Sequence, residues 1–164
     1  MNEVIDTLSI QRKKLDAIKI AINKLPNSRG KALGFTALEK GRMYIGEVSR
    51  ELGAEYPYEA TKQAVDAKGI QAAVDLADTE TPVISITGNE VVDLNTLREV
   101  LEKELDYFMG IIFIPKKGLN AKLISIGVDK KFTLDCNISE AYRSLKESRM
   151  WLGVRLGELR DTAK

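Results

Sequence analysis

Two segments place an arginine, a methionine, an aromatic ring and a glycine within five residues: Arg42-Met43-Tyr44-Ile45-Gly46 and Arg149-Met150-Trp151-Leu152-Gly153. They belong to a longer internal match, Ala37 to Gly46 over Ser144 to Gly153, at a constant offset of 107 residues, which continues as Glu51-Leu52 over Glu158-Leu159. The residue types suggest anion and base recognition. A guanidinium grips an oxyanion through two parallel N–H donors. The ring gives a base a flat face, and the glycine leaves a notch beside an adaptable methionine. Together they suit a nucleotide, with phosphate on Arg42 or Arg149 and a base on Tyr44 or Trp151. A second reading uses the same residues. Met, an aromatic and Gly at helical spacing pack helices together, and Glu39 and Glu147 lie near enough in sequence to neutralise the arginines.

Other candidates carry less. Arg29 and Lys31 fall at the start of an expected helix, where free N–H groups and the helix dipole favour an anion; a solvated turn explains them equally well. Lys116-Lys117 and Lys130-Lys131 read as loop charges. Gly88-Asn89 belongs to no phosphate-binding loop pattern. Cys136 reads as a packing residue. Asp129, Asp135, Glu102, Glu104 and Asp106 lack the grouping of metal ligands, so no metal or cofactor is expected.

Composition narrows the chemistry. The chain has 164 residues, about one domain by the usual length prior, and no histidine, which removes the commonest general base and metal ligand. A single cysteine excludes an internal disulfide and a thiolate zinc site. The prior therefore leans toward binding, with no enzymatic activity expected. Lys+Arg 25 against Asp+Glu 24 gives a net charge of +1, so nothing draws the whole molecule to nucleic acid, and any anion site is a local patch. No apolar run is long enough to span a bilayer. The acidic, amphipathic start Met1-Asn2-Glu3-Val4-Ile5-Asp6 is unlike a signal peptide, so a cytoplasmic location is expected.

The elements that must position these residues follow from periodicity. Val4, Leu8, Leu15, Ile18, Ile22 and Leu25, with Gln11 as the polar member of the stripe, predict a helix over 3–25. Pro26-Asn27-Ser28 stops it and caps the next. Gly34, Leu38, Gly41, Ile45, Val48 and Leu52 predict a second helix over 29–52, with Gly53 after it. The short link makes the two an antiparallel hairpin, which needs the rest of the chain or a second copy to cover its apolar stripes. Ala60 to Ala77 reads as helical. Val83–Thr87 and Val91-Val92 around Gly88-Asn89 read as a β-hairpin, Leu94–Leu105 as a helix, and Gly110–Ile114, Leu123–Ile126 and Phe132–Leu134 as strands with turns at Pro115–Gly118 and Gly127–Lys130. Asn137 with Glu140 resembles a capping box opening a last helix over 138–160. The expected fold class is α+β: a helical hairpin module at 1–53, an α/β insert with mostly antiparallel strands at 54–137, and a C-terminal helix at 138–164 that matches the second hairpin helix.

Leu25-Pro26-Asn27-Ser28-Arg29-Gly30-Lys31-Ala32-Leu33, the run from Thr36 to Gly46, and the C-terminal segment Glu140 to Gly153 resemble the helical-hairpin domain of phage anti-CBASS and anti-Thoeris sponge proteins. The likeness covers residues 1–53 and 138–160. It implies a homo-oligomer that binds a cyclic oligonucleotide or cyclic ADP-ribose-type immune signal and holds it intact in the host bacterial cytoplasm. It also adds Arg143 to Arg29, Lys31, Arg42, Tyr44, Arg149 and Trp151 as a ligand-binding residue. Two departures stand out: the α/β insert between the matching helices, and the absence of an evident first helix for the second match. The other reading is a phage structural or regulatory oligomer whose repeated helices serve assembly alone. A nucleic-acid binder is disfavoured by the near-zero charge.

Overall fold

Leu8, Gln11, Leu15, Ile18 and Ile22 recur every three or four residues, and all are buried along one side of helix α1 (Asn2–Asn23). A computed structural model describes residues 2–53, 84–112 and 128–163. Ser28 caps helix α2 (Arg29–Glu51), its hydroxyl accepting the Lys31 N–H at 3.0 Å. Gly53, at φ 96°, ends the helix in the left-handed region that glycine tolerates. Helix α3 spans Glu90–Ile112 and helix α4 spans Val128–Thr162.

Pairs across α1 and α2 run upward on one helix as they run downward on the other: Arg12 faces Gly46, Asp16 faces Arg42, and Lys19 faces Glu39. The same antiparallel stepping joins α3 to α4 (Arg98 to Gly153, Glu102 to Arg149) and α2 to α4 (Gly30 to Arg155, Gly34 to Ser148, Gly41 to Ala141). Gln11 and Lys14 of α1 meet Glu104 and Tyr107 of α3. The four helices thus form a ring in the order α1, α2, α4, α3 around one core. Leu8, Leu15, Leu38, Ile45, Leu97, Leu101, Phe108, Leu145 and Leu152 fill it, each fully buried.

The most extensive contact is between α2 and α4. Its closeness depends on small residues. A Cβ at Gly30 would lie 2.8 Å from the Trp151 carbonyl oxygen, and one at Gly34 or Gly41 would lie 3.4 Å from the Ser148 or Ala141 carbonyl. Residues 34 and 41 correspond in the internal match to 141 and 148. The Gly34–Ser148 contact is therefore the counterpart of Gly41–Ala141, and the interface repeats itself about a pseudo-two-fold axis, as in an isologous dimer.

The α+β expectation is overturned: every regular element among the described residues is a helix. Ile84–Thr87 is irregular rather than a strand, and Val91-Val92 lies in the first turn of α3. Gly88-Asn89, read as a hairpin turn, is a helix entrance. Asn89 Oδ1 accepts the Val92 N–H at 3.2 Å, and the buried Asp93 carboxylate accepts from Thr87 N, Thr87 Oγ1 and Gly88 N. Gly110–Ile112 continues α3, since a short apolar run fits a buried helix turn as well as a strand. Phe132–Leu134 and the turn at Val128–Lys130 lie inside α4, where extending an existing helix is easier than pairing an isolated strand. Asn137 consequently sits in mid-helix rather than as a cap. The expectations for 60–77, for Phe113-Ile114, for Pro115–Gly118 and for the strand at 123–126 lie outside the described residues.

The second match also has its own first helix. Arg12 to Arg98 and Asp16 to Glu102 are both 86 residues apart, as are Leu8 to Leu94 and Leu15 to Leu101. Helix α3 occupies toward α4 the place α1 occupies toward α2. What read as an α/β insert is, over 90–112 and 128–137, helical, and α3 with α4 forms a second hairpin.

Candidate functional site

Each hairpin carries the same quartet. In the first, Arg12 and Asp16 of α1 face Arg42 and Gly46 of α2; in the second, Arg98 and Glu102 of α3 face Arg149 and Gly153 of α4. The glycine lets the guanidinium lie close in both. A Cβ at Gly46 would lie 3.2 Å from Arg12 Cζ, and a Cβ at Gly153 would lie 3.2 Å from Arg98 Cζ. Each bare helix turn is a seat for the guanidinium of the neighbouring helix.

The quartets differ in how the charges are matched. Arg42 donates from Nη2 to Asp16 Oδ2 at 2.9 Å, and its Nε lies 2.5 Å from Oδ1 as an ion-pair contact. Arg149 meets Glu102 once, Nη2 to Oε2 at 3.2 Å, and that glutamate is largely exposed. The longer Glu side chain reaches out of the groove where the shorter Asp stays within it. Arg12 has a partner of its own. Arg98 makes no hydrogen bond or ion pair among the described residues, and both its Nε and that of Arg149 are buried without an acceptor.

The remaining candidate residues take separate places. Arg29 and Trp151, distant in sequence, meet at one end of the bundle, with the Arg29 guanidinium 5.7 Å from the ring centroid. The Trp151 Nε1–H points to Glu147 Oε1 at 3.5 Å. Lys31 closes the hairpin turn: its ammonium donates to Asn23 O at 3.0 Å, Leu25 O at 2.6 Å and Asn27 Oδ1 at 3.2 Å, which engages all three N–H donors. Tyr44 is partly buried against the core. Arg143 is exposed and pairs within its own helix with Glu140 at 3.2 Å. Arg42 and Arg149 are neutralised across the hairpin rather than by Glu39 and Glu147. Glu39 instead pairs with Lys19 at 2.9 Å.

Sequence reading missed Arg12, Arg98 and Arg155. The signal for the first two was the pattern Leu-x-x-x-Arg-x-x-Leu-acid, at Leu8–Asp16 and again at Leu94–Glu102. Arg155 lies across the end of the bundle, with Nε 2.7 Å from Glu90 Oε1, Nη2 3.2 Å from Glu90 Oε2 and Nη1 3.3 Å from Glu158. These carboxylates, Glu90 foremost, hold its guanidinium above its ordinary pKa.

Among the described residues no group of acidic or cysteine side chains could hold a metal ion, and no helix is long and apolar enough to cross a membrane. No family model, curated protein or solved structure matches the chain.

Proposed function

We propose that the protein is a phage anti-defence sponge, which binds a cyclic oligonucleotide or cyclic ADP-ribose-type immune signal in the host bacterial cytoplasm and releases it unaltered. The observation that carries this reading is the doubled quartet. Two hairpins each set two arginines around a bare glycine turn, next to a half-exposed methionine, Met43 or Met150. Guanidinium donors suit phosphate oxygens. The lack of histidine agrees with holding a ligand rather than cleaving it, and the resemblance of residues 1–53 and 138–160 to the sponge hairpin supplies the ligand class.

Calorimetry with cyclic dinucleotides, cyclic trinucleotides and cyclic ADP-ribose isomers tests the reading. Tight binding of one of them, with the compound recovered chemically unchanged after heat denaturation, supports it. Absence of binding across the panel, or recovery of a hydrolysed product, overturns it.

The Arg42–Asp16 ion pair, which answers an arginine of the repeat within the fold, favours a second reading, in which the repeated helices serve assembly. Here Arg42→Ala and Arg149→Ala loosen the hairpins without changing biological activity, whereas Leu38→Asp abolishes assembly.

A further inference from the structure

In the second hairpin, two guanidinium groups share a single carboxylate contact. Arg98 is partly buried, seated on the α4 backbone at Gly153, and has no counter-charge among the described residues; Arg149 has one monodentate contact to Glu102. Their Nε atoms are both buried without an acceptor among the described residues. A shielded guanidinium with no anion is an electrostatic debt that folding alone leaves standing. Buried Nε atoms occur in both quartets and do not separate them; what does is that Arg42 lies closer to its aspartate, with contacts to both oxygens, and that Arg12 has a partner.

The surroundings of Arg98 leave room for a ligand. Positions 150, 153 and 157 share one face of α4. A Cβ at Gly157 would meet nothing within 4 Å, and the Met150 side chain is 50% exposed. Beside the Arg98 guanidinium on Gly153, the α4 surface is therefore open at Gly157, with Arg149 near and the adaptable Met150 on the same face.

We propose that this α3–α4 surface is a phosphate site: the Nη groups of Arg98 and Arg149 hold a phosphate oxyanion, and Met150 bears on the apolar part of the same molecule. The ligand class, a phosphorylated cyclic nucleotide signal, rests on the function proposed above; the oxyanion site itself does not. The two hairpins are consequently unequal. The first is closed by its own aspartate, and the second is the one that binds.

The test uses the full chain with 15N-labelled arginine, following the Nε–Hε resonances during titration with inorganic phosphate and, separately, with the cyclic nucleotide panel. Arg98→Gln should weaken binding of the retained panel member by about 10- to 100-fold, the size expected for losing charge-assisted hydrogen bonds. Arg98→Lys should recover part of it, and Arg160→Gln should have no effect. Gly153→Ala adds a methyl group where the Arg98 guanidinium rests, so it should weaken binding several-fold while thermal melts stay cooperative. If a panel member binds and Arg98→Gln leaves its affinity intact, this surface is the wrong site and the sponge reading survives. If no panel member binds but inorganic phosphate shifts the Arg98 resonance, and Gly153→Ala abolishes that shift, the site stands and the sponge reading falls. If no panel member binds and phosphate leaves Arg98 unmoved, both fall.

Discussion

Ser148 donates its hydroxyl to the Gly34 carbonyl at 2.7 Å, a buried hydrogen bond that ties α4 to α2 across 114 residues of sequence. It lies near the pseudo-two-fold axis and has no counterpart hydroxyl, since the residue matching Ser148 is Gly41. Ser148→Ala should therefore lower stability by about 1 kcal/mol, the net worth of one such bond plus an under-satisfied carbonyl. Denaturant melts with an unchanged slope would check it.

The glycines of the repeat should separate by neighbour rather than by helix propensity. A Cβ at Gly30 would lie 2.7 Å from Arg155 Cβ and 2.8 Å from the Trp151 carbonyl oxygen, so α4 must shift to admit it. Gly30→Ala should cost about 1–3 kcal/mol. Gly157→Ala meets nothing and should stabilise α4 by roughly 1 kcal/mol. Opposite shifts in melting temperature are the expected result.

The two hairpin ion pairs should differ in coupling. Both are partly exposed and therefore weak in absolute terms. The closer Arg42–Asp16 pair should give about 1 kcal/mol in a double-mutant cycle, and the single Arg149–Glu102 contact less than about 0.5 kcal/mol. Equal couplings would contradict the difference between the hairpins.

Two buried carboxylates should respond to pH in opposite directions. For Asp93, burial alone would raise the pKa, but hydrogen bonds from the Thr87 N–H, the Thr87 hydroxyl and the Gly88 N–H together hold it below the ordinary aspartate value. Its contribution is present at neutral pH and is lost as the pH falls through that lowered value. Asp93→Asn should lower stability at neutral pH and reduce the acid sensitivity. For Glu104, burial raises the pKa above 4.5, with Lys14 and Gln11 opposing it. Its ionisation destabilises the fold, so stability declines as the pH rises through the raised value. Glu104→Gln should therefore be more stable than the parent at pH 7 and lose that advantage below about pH 4.

How much was legible follows from the kind of contact each residue makes. The stripes of α1 and α2, the Ser28 cap and the Arg-Met-aromatic-aliphatic-Gly repeat are local patterns and can be read directly. Helix α3 was read too short, with its ends assigned to strands, because Val91-Val92 and Gly110–Ile112 are apolar runs without a diagnostic period. Its kinship with α1 was hidden because Leu94, Arg98, Leu101 and Glu102 match their counterparts while Leu97 and Glu104 replace Gln11 and Ile18. A helix needs the right residue only where it meets its partner; the positions between drift.

The amino-acid sequence alone determined that the chain repeats a helix, that it lacks the groups for acid–base or metal chemistry at histidine, and that any anion site must be local. Only the tertiary structure decided which arginines are answered by carboxylates. Glu39, three residues before Arg42, and Glu147, two before Arg149, were near along the helix, yet Asp16 and Glu102 take the charges from the facing helix. A side chain in an antiparallel pair projects toward its neighbour, and what stands opposite is set by packing register, which no spacing within one helix records.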